Sequence, residues 1–192
     1  MKILFVTSNE GKVQEARQVL SQFGIDVENI DIDLTEVQAP HEEVVRLKAL
    51  EARKHFSGDL VVEDAGFYID AFNDFPGILT KPIVRGIGPQ GFLKLAAGLD
   101  RSAHFLSIVA YLPEGAAEPL LFRGKSIGKL SETVTESNPK LPCDSIFIPE
   151  GETRTFGQMT PAETALYSHR AKAFQELAYY LTKQKPLEGV LR

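Results

Sequence analysis

The sequence predicts an α/β protein built on a mixed, twisted sheet flanked by helices. Residues 3–6 (Ile-Leu-Phe-Val) form an unbroken apolar run, followed by a polar turn and then apolar residues at helical spacing. A second amphipathic helix breaks at Ser57-Gly58-Asp59 and leads into another apolar run, Leu60-Val61-Val62. Two long apolar-rich stretches, 103–112 and 119–130, then flank a Pro-Glu-Gly turn, as strands of a hairpin do.

Taken in order, residues 3–6 read as a fully buried strand and Thr7-Ser8-Asn9-Glu10-Gly11-Lys12 as the turn after it. Val13, Ala16, Val19, Leu20 and Phe23 give the first helix its apolar face, and Gly24 is placed to stop it. Residues 25–34 alternate apolar and polar, which predicts a half-exposed strand. The second helix covers 42–56, with Val44, Val45, Leu47, Ala49, Ala52 and Phe56 facing inward. Turn signals at Phe75-Pro76-Gly77 and Ile87-Gly88-Pro89 precede a short helix at 91–97. A short strand is expected at 145–148 and one final helix over 161–181. There is no repeat, low-complexity tract or linker, so the 192 residues are expected to form a single domain, 1–192.

Composition narrows the function. With 43% hydrophobic and 24% charged residues, the chain has the make-up of an ordinary soluble protein. A net charge of −5 argues against a broad nucleic-acid-binding face, though a local basic pocket for a phosphorylated small molecule stays open. One cysteine, Cys143, excludes an internal disulfide and a multi-cysteine zinc site. No apolar run approaches a membrane span, and the apolar start stops at Thr7, short of a signal peptide. A cytoplasmic location is expected.

The residues able to carry chemistry lie in several separated stretches. Glu63 and Asp64 end a buried strand, where a carboxylate needs a metal ion or a paired cation to offset its lost hydration. The turn at Thr7-Ser8-Asn9 opens a helix, whose first N–H groups attract anions such as phosphate; Ser8 or Asn9 can equally act as a simple cap. Lys12 opposes the helix dipole in the first turn, which calls for an anion such as phosphate beside it. Lys48, taken alone, reads as a solvated lysine, and Glu36 is uninformative alone. Ser168-His169-Arg170 falls inside the expected last helix, where neighbours point about 100° apart. A Ser–His nucleophile pair is therefore disfavoured, and no Gly-x-Ser-x-Gly elbow is present.

Together the segments Thr7-Ser8-Asn9-x-x-Lys12-x-x-Glu15-Ala16, Asp33-Leu34-x-Glu36-x-Gln38, Glu63-Asp64-x-Gly66 with Phe75-Pro76-Gly77, and Ser168-His169-Arg170 resemble the inosine triphosphate pyrophosphatase family, also called Ham1-like. The resemblance runs in order from Lys2 to about Leu181. It implies an elongated, two-lobed fold of the Ham1/Maf type around a cleft, usually dimeric. It also implies Mg²⁺-dependent cleavage of non-standard purine nucleoside triphosphates (ITP, dITP, XTP) to the monophosphate and pyrophosphate. By the same resemblance, Thr7, Ser8, Asn9, Lys12 and Lys48 would hold the phosphates, and Glu36 and Asp64 would bind the metal. Asp64 would also be the general base, His169 and Arg170 would read the base, and Ala65 and Asp144 would line the substrate.

The chain departs from that pattern in two places. Where relatives carry Phe-Gly-(Trp or Tyr)-Asp, this chain has Leu141-Pro142-Cys143-Asp144, which removes the aromatics expected to stack on a purine. Thr164 stands where relatives typically carry a lysine. Both changes touch base recognition rather than the metal and phosphates. The alternatives they raise are a pyrophosphatase of other modified nucleotides, or a nucleotide-binding sensor without turnover.

Overall fold

The computed structural model describes residues 1–32, 34–35, 37–137 and 141–183. Seven strands form one sheet in the order β2-β1-β3-β5-β6-β7, with β4 paired to β3. They are β1 (Lys2–Val6), β2 (Asp26–Ile30), β3 (Leu60–Ile69), β4 (Phe75–Gly77), β5 (Ser102–Leu112), β6 (Leu120–Leu130) and β7 (Phe147–Pro149). The helices are α1 (Glu10–Leu20), α2 (His41–Arg53), α3 (Thr80–Leu95), α4 (Pro161–Tyr167) and α5 (His169–Thr182). β1 pairs in parallel with both β2 and β3, while β4 on β3 and β7 on β6 are antiparallel. This is the mixed α/β sheet that the sequence predicts.

The chain divides into two compact units, and β3, β5 and β6 contribute residues to each. The first takes in Met1–Asp64, Ser107–Gly124 and the described residues from Arg170 onward. Its core joins Ile3 and Phe5 of β1, Val13, Ala16, Val19 and Leu20 of α1, and Ala171, Phe174, Leu177 and Ala178 of α5. Phe5 and Phe174 meet edge-on at 5.4 Å. Burying each large side chain here stabilises the fold by about 1.5–3 kcal/mol, and Leu20→Ala would cost about 2–5 kcal/mol through the cavity it leaves. Gly24, at φ 69°, ends the turn after α1 in the left-handed region, as its place in the sequence suggests. Arg53 closes this unit's edge by donating to four carbonyls, those of Phe56, Gly58, Leu112 and Pro113.

The second unit takes in Ala65–Leu106 and Lys125–His169. Its core is aromatic: Phe67, Phe92, Phe105, Phe147 and Phe156 pack with Ile69, Leu130, Cys143 and Ile146. Phe105 lies 4.6 Å from Phe67 and 4.9 Å from Phe147, within the range of favourable ring contacts.

Several elements differ from their sequence-based expectations; β3 runs through Glu63 and Asp64 to Ile69 instead of ending at them, and the short strand expected over 145–148 is β7, Phe147–Pro149. The strand expected over 25–34 stops at Ile30, because Val6↔Ile30 is the last pair β1 can offer. The helix expected over 91–97 is the second half of α3, which begins at Thr80 and is interrupted at Gly88 (φ 66°, ψ 174°), with Pro89 starting the new segment. Pro82 and Gly86 hide the first half from a propensity-based reading. The single helix expected over 161–181 is two helices, broken at Ser168, whose ψ of 123° is extended. Thr160 and Glu163 form a capping box that starts α4, and Ser168, a residue whose hydroxyl competes with helical bonding, ends it.

Candidate active site

In the first unit, the turn after β1 is organised by its own side chains. Thr7 Oγ1 accepts the Asn9 N–H at 3.2 Å, and Asn9 caps α1 by accepting the Lys12 N–H at 3.3 Å. The capping alternative for Asn9 is therefore realised, and Ser8 stands exposed between the two. One turn into α1, Lys12 and Glu15 fall on the same side of the helix, as residues three apart do.

Both then reach a buried ionic network centred on Glu63, whose side chain is 0% exposed. Lys12 Nζ lies 2.8 Å from Glu63 Oε2. Arg170 Nε lies 3.1 Å from Glu63 Oε1, and Ser107 donates its hydroxyl to the same oxygen at 2.6 Å. Arg170 also donates from Nη1 to Glu15 at 2.7 Å. Burial is the largest single influence on the Glu63 carboxyl and opposes its ionisation. The Arg170 and Lys12 charges, with hydrogen bonds from Lys12 and Ser107, outweigh it and hold the group well below the usual carboxylate range.

The anion that Lys12 calls for is thus one of the protein's own carboxylates. Arg170, expected among base-reading residues, is likewise held by two acids. Of the two means of offsetting burial foreseen for the Glu63–Asp64 pair, Glu63 has the paired cations.

Asp64 has a different set of partners, as alternation along a strand requires. Lys48 of α2 donates to its Oδ1 at 2.7 Å, and His41 Nε2 lies 3.2 Å from its Oδ2. Lys48 is 11% exposed, so the solvated-lysine alternative does not hold. Burial raises the Asp64 pKa, but the His41 hydrogen bond and the Lys12 and Lys48 charges bring the net shift below the usual value. Asp64 is therefore an ionised, acceptor-only carboxylate. Oδ1 keeps a lone-pair direction beyond the bond it accepts from Lys48, and Oδ2 has only the His41 ring nitrogen close by, so the group suits a hard divalent cation. Glu36, its expected partner in metal binding, lies outside the described residues.

The remaining expected residues belong to the second unit. His169 heads α5, directly after the Ser168 break, with its ring stacked on Phe105 at 4.8 Å and 12°. Asp144 is half-exposed in a 3-10 turn, Pro142–Ser145, whose N-cap Leu141 is 47% exposed. Cys143 of the same turn is buried in the aromatic core, so its side chain is turned away from solvent. Ala65 is half-buried on β3, and Thr164 is half-buried on α4. Asp70, Asp74 and His104 bring one potential ligand atom each within 4.8 Å of one another, but two of them are exposed carboxylates and nothing around them points to a bound ion.

Sequence reasoning missed His41 and Ser107. His41 precedes Lys48 by seven residues, about two helical turns, so the two share a face of α2. Ser107 is a fully buried polar residue in an otherwise apolar segment of β5, a signal visible in the sequence.

The sequence profile of the Ham1 family matches residues 3–180. A dITP/XTP pyrophosphatase of Methanopyrus kandleri is 38% identical over 180 residues, covering 93% of this chain and 95% of that protein. A dITP/XTP pyrophosphatase of Thermococcus kodakarensis is 38% identical over 183 residues, covering 94% of this chain and 97% of that protein. Among solved structures, a HAM1 protein from Coxiella burnetii superposes with a TM-score of 0.83 at 25% identity, covering 95% of this chain and 99% of that one.

Proposed function

Because the chain belongs to the Ham1 family, we propose that it hydrolyses non-standard purine nucleoside triphosphates such as dITP and XTP to the monophosphate and pyrophosphate. The observation that carries this reading is the state of Asp64: an ionised carboxylate with Lys48 on one oxygen and His41 on the other. Such a group can accept a proton from water at neutral pH.

In this reading a water molecule attacks the α-phosphorus. Its proton passes to Asp64, the α–β bridging P–O bond breaks, and the bond's electrons leave with pyrophosphate. Lys48 holds the carboxylate through Oδ1 and supplies positive charge next to the phosphates. Lys12 contributes a second cation, anchored on Glu63. Asp64 and Glu36 would hold a divalent ion, magnesium by the resemblance, which supplies charge stabilisation for the leaving pyrophosphate. Asn9 and Thr7 fix the turn at the start of α1, where the phosphates would lie against the N–H groups. Asp144 and His169 would meet the nucleoside. We further propose a cytoplasmic homodimer; among the described residues no helix is long and apolar enough to cross a membrane.

Leu141 favours a second reading of the substrate. It stands exposed where a base-stacking aromatic is expected, which is compatible with another modified base. A panel of triphosphates assayed for pyrophosphate release, with and without Mg²⁺, separates the two. Faster release from ITP or XTP than from ATP or GTP, lost in Asp64→Asn, supports the purine reading. Preference for a modified pyrimidine supports the second. Absence of release from every triphosphate overturns both, and tight binding without release leaves the sensor alternative.

A further inference from the structure

We propose that His41 is a positioning residue that, together with Lys48, fixes the plane of the Asp64 carboxylate. The proposal deepens the function given above and rests on Asp64 being the group that accepts the proton.

His41 and Lys48 are seven residues apart on α2, about two turns, so their side chains leave one face of the helix. They take opposite oxygens of one carboxylate, Lys48 at 2.7 Å from Oδ1 and His41 at 3.2 Å from Oδ2. The final torsion of an aspartate is broad, so a single donor leaves the carboxylate able to turn about its last bond. The Lys48 bond on Oδ1 and the close approach of the His41 ring nitrogen to Oδ2 together restrict that freedom. The His41 side chain is 7% exposed, so water cannot easily take its place beside Oδ2.

Helix capping does not account for this histidine. The N-cap is Pro40, which makes no side-chain cap bond, and the first turn already carries Glu42 and Glu43 as the acids the dipole favours. The direction from which a carboxylate receives a proton is fixed by its plane. A misplacement of about 1 Å can cost on the order of 10²-fold in rate.

The test compares wild-type protein with His41→Leu, which fills the space without a donor, and His41→Gln, whose amide N–H can reach the place of Nε2. Pyrophosphate release gives kcat and KM. Calorimetry with an α,β-imido analogue of ITP gives affinity without turnover. Metal-free crystals of His41→Leu give the orientation of Asp64.

The expected result for His41→Leu is a kcat lower by about 10- to 100-fold, with KM and the analogue's Kd within about threefold of wild type. The crystals are expected to show the Asp64 carboxylate turned from its wild-type plane, and His41→Gln to recover most of the lost rate. An unchanged kcat or an unturned carboxylate in His41→Leu overturns the proposal. So does a joint fall of kcat, affinity and melting temperature that glutamine does not rescue, because that marks a structural role. A wild-type protein releasing no pyrophosphate removes the functional reading itself, an outcome distinct from an active wild type with an equally active His41→Leu.

Discussion

Lys12 meets Glu63 twice: its ammonium lies 2.8 Å from Oε2 and 3.2 Å from the main-chain carbonyl of the same residue. The side chain is thereby held at two points, and β3 is tied to the first turn of α1. With Arg170 on the other carboxylate oxygen, two cations converge on one acid that has no exposure to solvent.

Removing that acid should be costly. Glu63→Gln leaves Lys12 and Arg170 facing a neutral amide, and breaking a buried pair from one side typically costs about 3–5 kcal/mol. Lys12→Met should cost less, since Arg170 and Ser107 still neutralise and bond the carboxylate. Urea unfolding curves of the two variants check the order; equal losses would count against Glu63 as the hub.

The same carboxylate sets an acid limit on stability. Its pKa in the folded protein lies below the usual glutamate value of 4.5, so the unfolded chain binds a proton that the folded chain does not. Stability is then fully present above about pH 4.5 and falls as the pH drops toward the folded value. Asp64, also shifted down, adds to the same trend. Unfolding free energy measured from about pH 5 down to about pH 2.5 should decline in wild type and decline less steeply in Glu63→Gln.

Cys143 should be chemically silent in the folded state. Burial, aided by the nearby Asp144 charge, pushes its thiol up to about 12, and the residue is 5% exposed. A thiol-specific reagent at pH 8 is expected to label the native protein only at the rate of opening, and to label it at once in denaturant. Rapid labelling of the native protein would show that the Pro142–Ser145 turn opens readily.

Leu141 offers a gain-of-function change. Leu141→Phe restores an aromatic at an exposed position, and stacking on a base is worth on the order of 1–3 kcal/mol. The variant should show a lower KM for purine triphosphates with little change in kcat. An unchanged KM would place the base elsewhere.

Gly66 should not tolerate a side chain. A Cβ there would sit 2.7 Å from the Gly77 carbonyl oxygen, across the β3–β4 pairing. Gly66→Ala is expected to lower stability by about 1–3 kcal/mol, the usual range for overpacking, readable as a drop in melting temperature.

The α/β class and most strands were legible because long apolar runs such as Leu60-Val61-Val62 leave few alternatives. Asp64, Lys12 and Arg170 were legible as members of an ordered motif set, and Lys48 only through the resemblance that set carries. What those residues touch was not. The Glu63–Ser107 bond joins positions 44 residues apart because β3 and β5 are neighbours in the sheet, and the His41–Asp64 contact spans 23 residues from α2 to β3, pairings no local sequence pattern announces. Ser168 escaped for the opposite reason: the apolar spacing on either side of it continues as though one helix ran through. Only the local backbone choice of one small polar residue separates α4 from α5.

Arg53 binds carbonyls in the loop after α2 and at the start of the loop after β5, and Asp59 of the first loop accepts the Glu114 N–H from the second. Neither loop can detach without releasing hydrogen bonds made to the other. In amide exchange they should therefore behave as one cooperative opening unit, with the Glu114 amide and the Leu4 amide, which donates to the Asp59 carbonyl, exchanging in a correlated event. A lysine at position 53 lacks the planar fork needed to serve several acceptors at once, and would leave two independently fraying loops in place of a single latch.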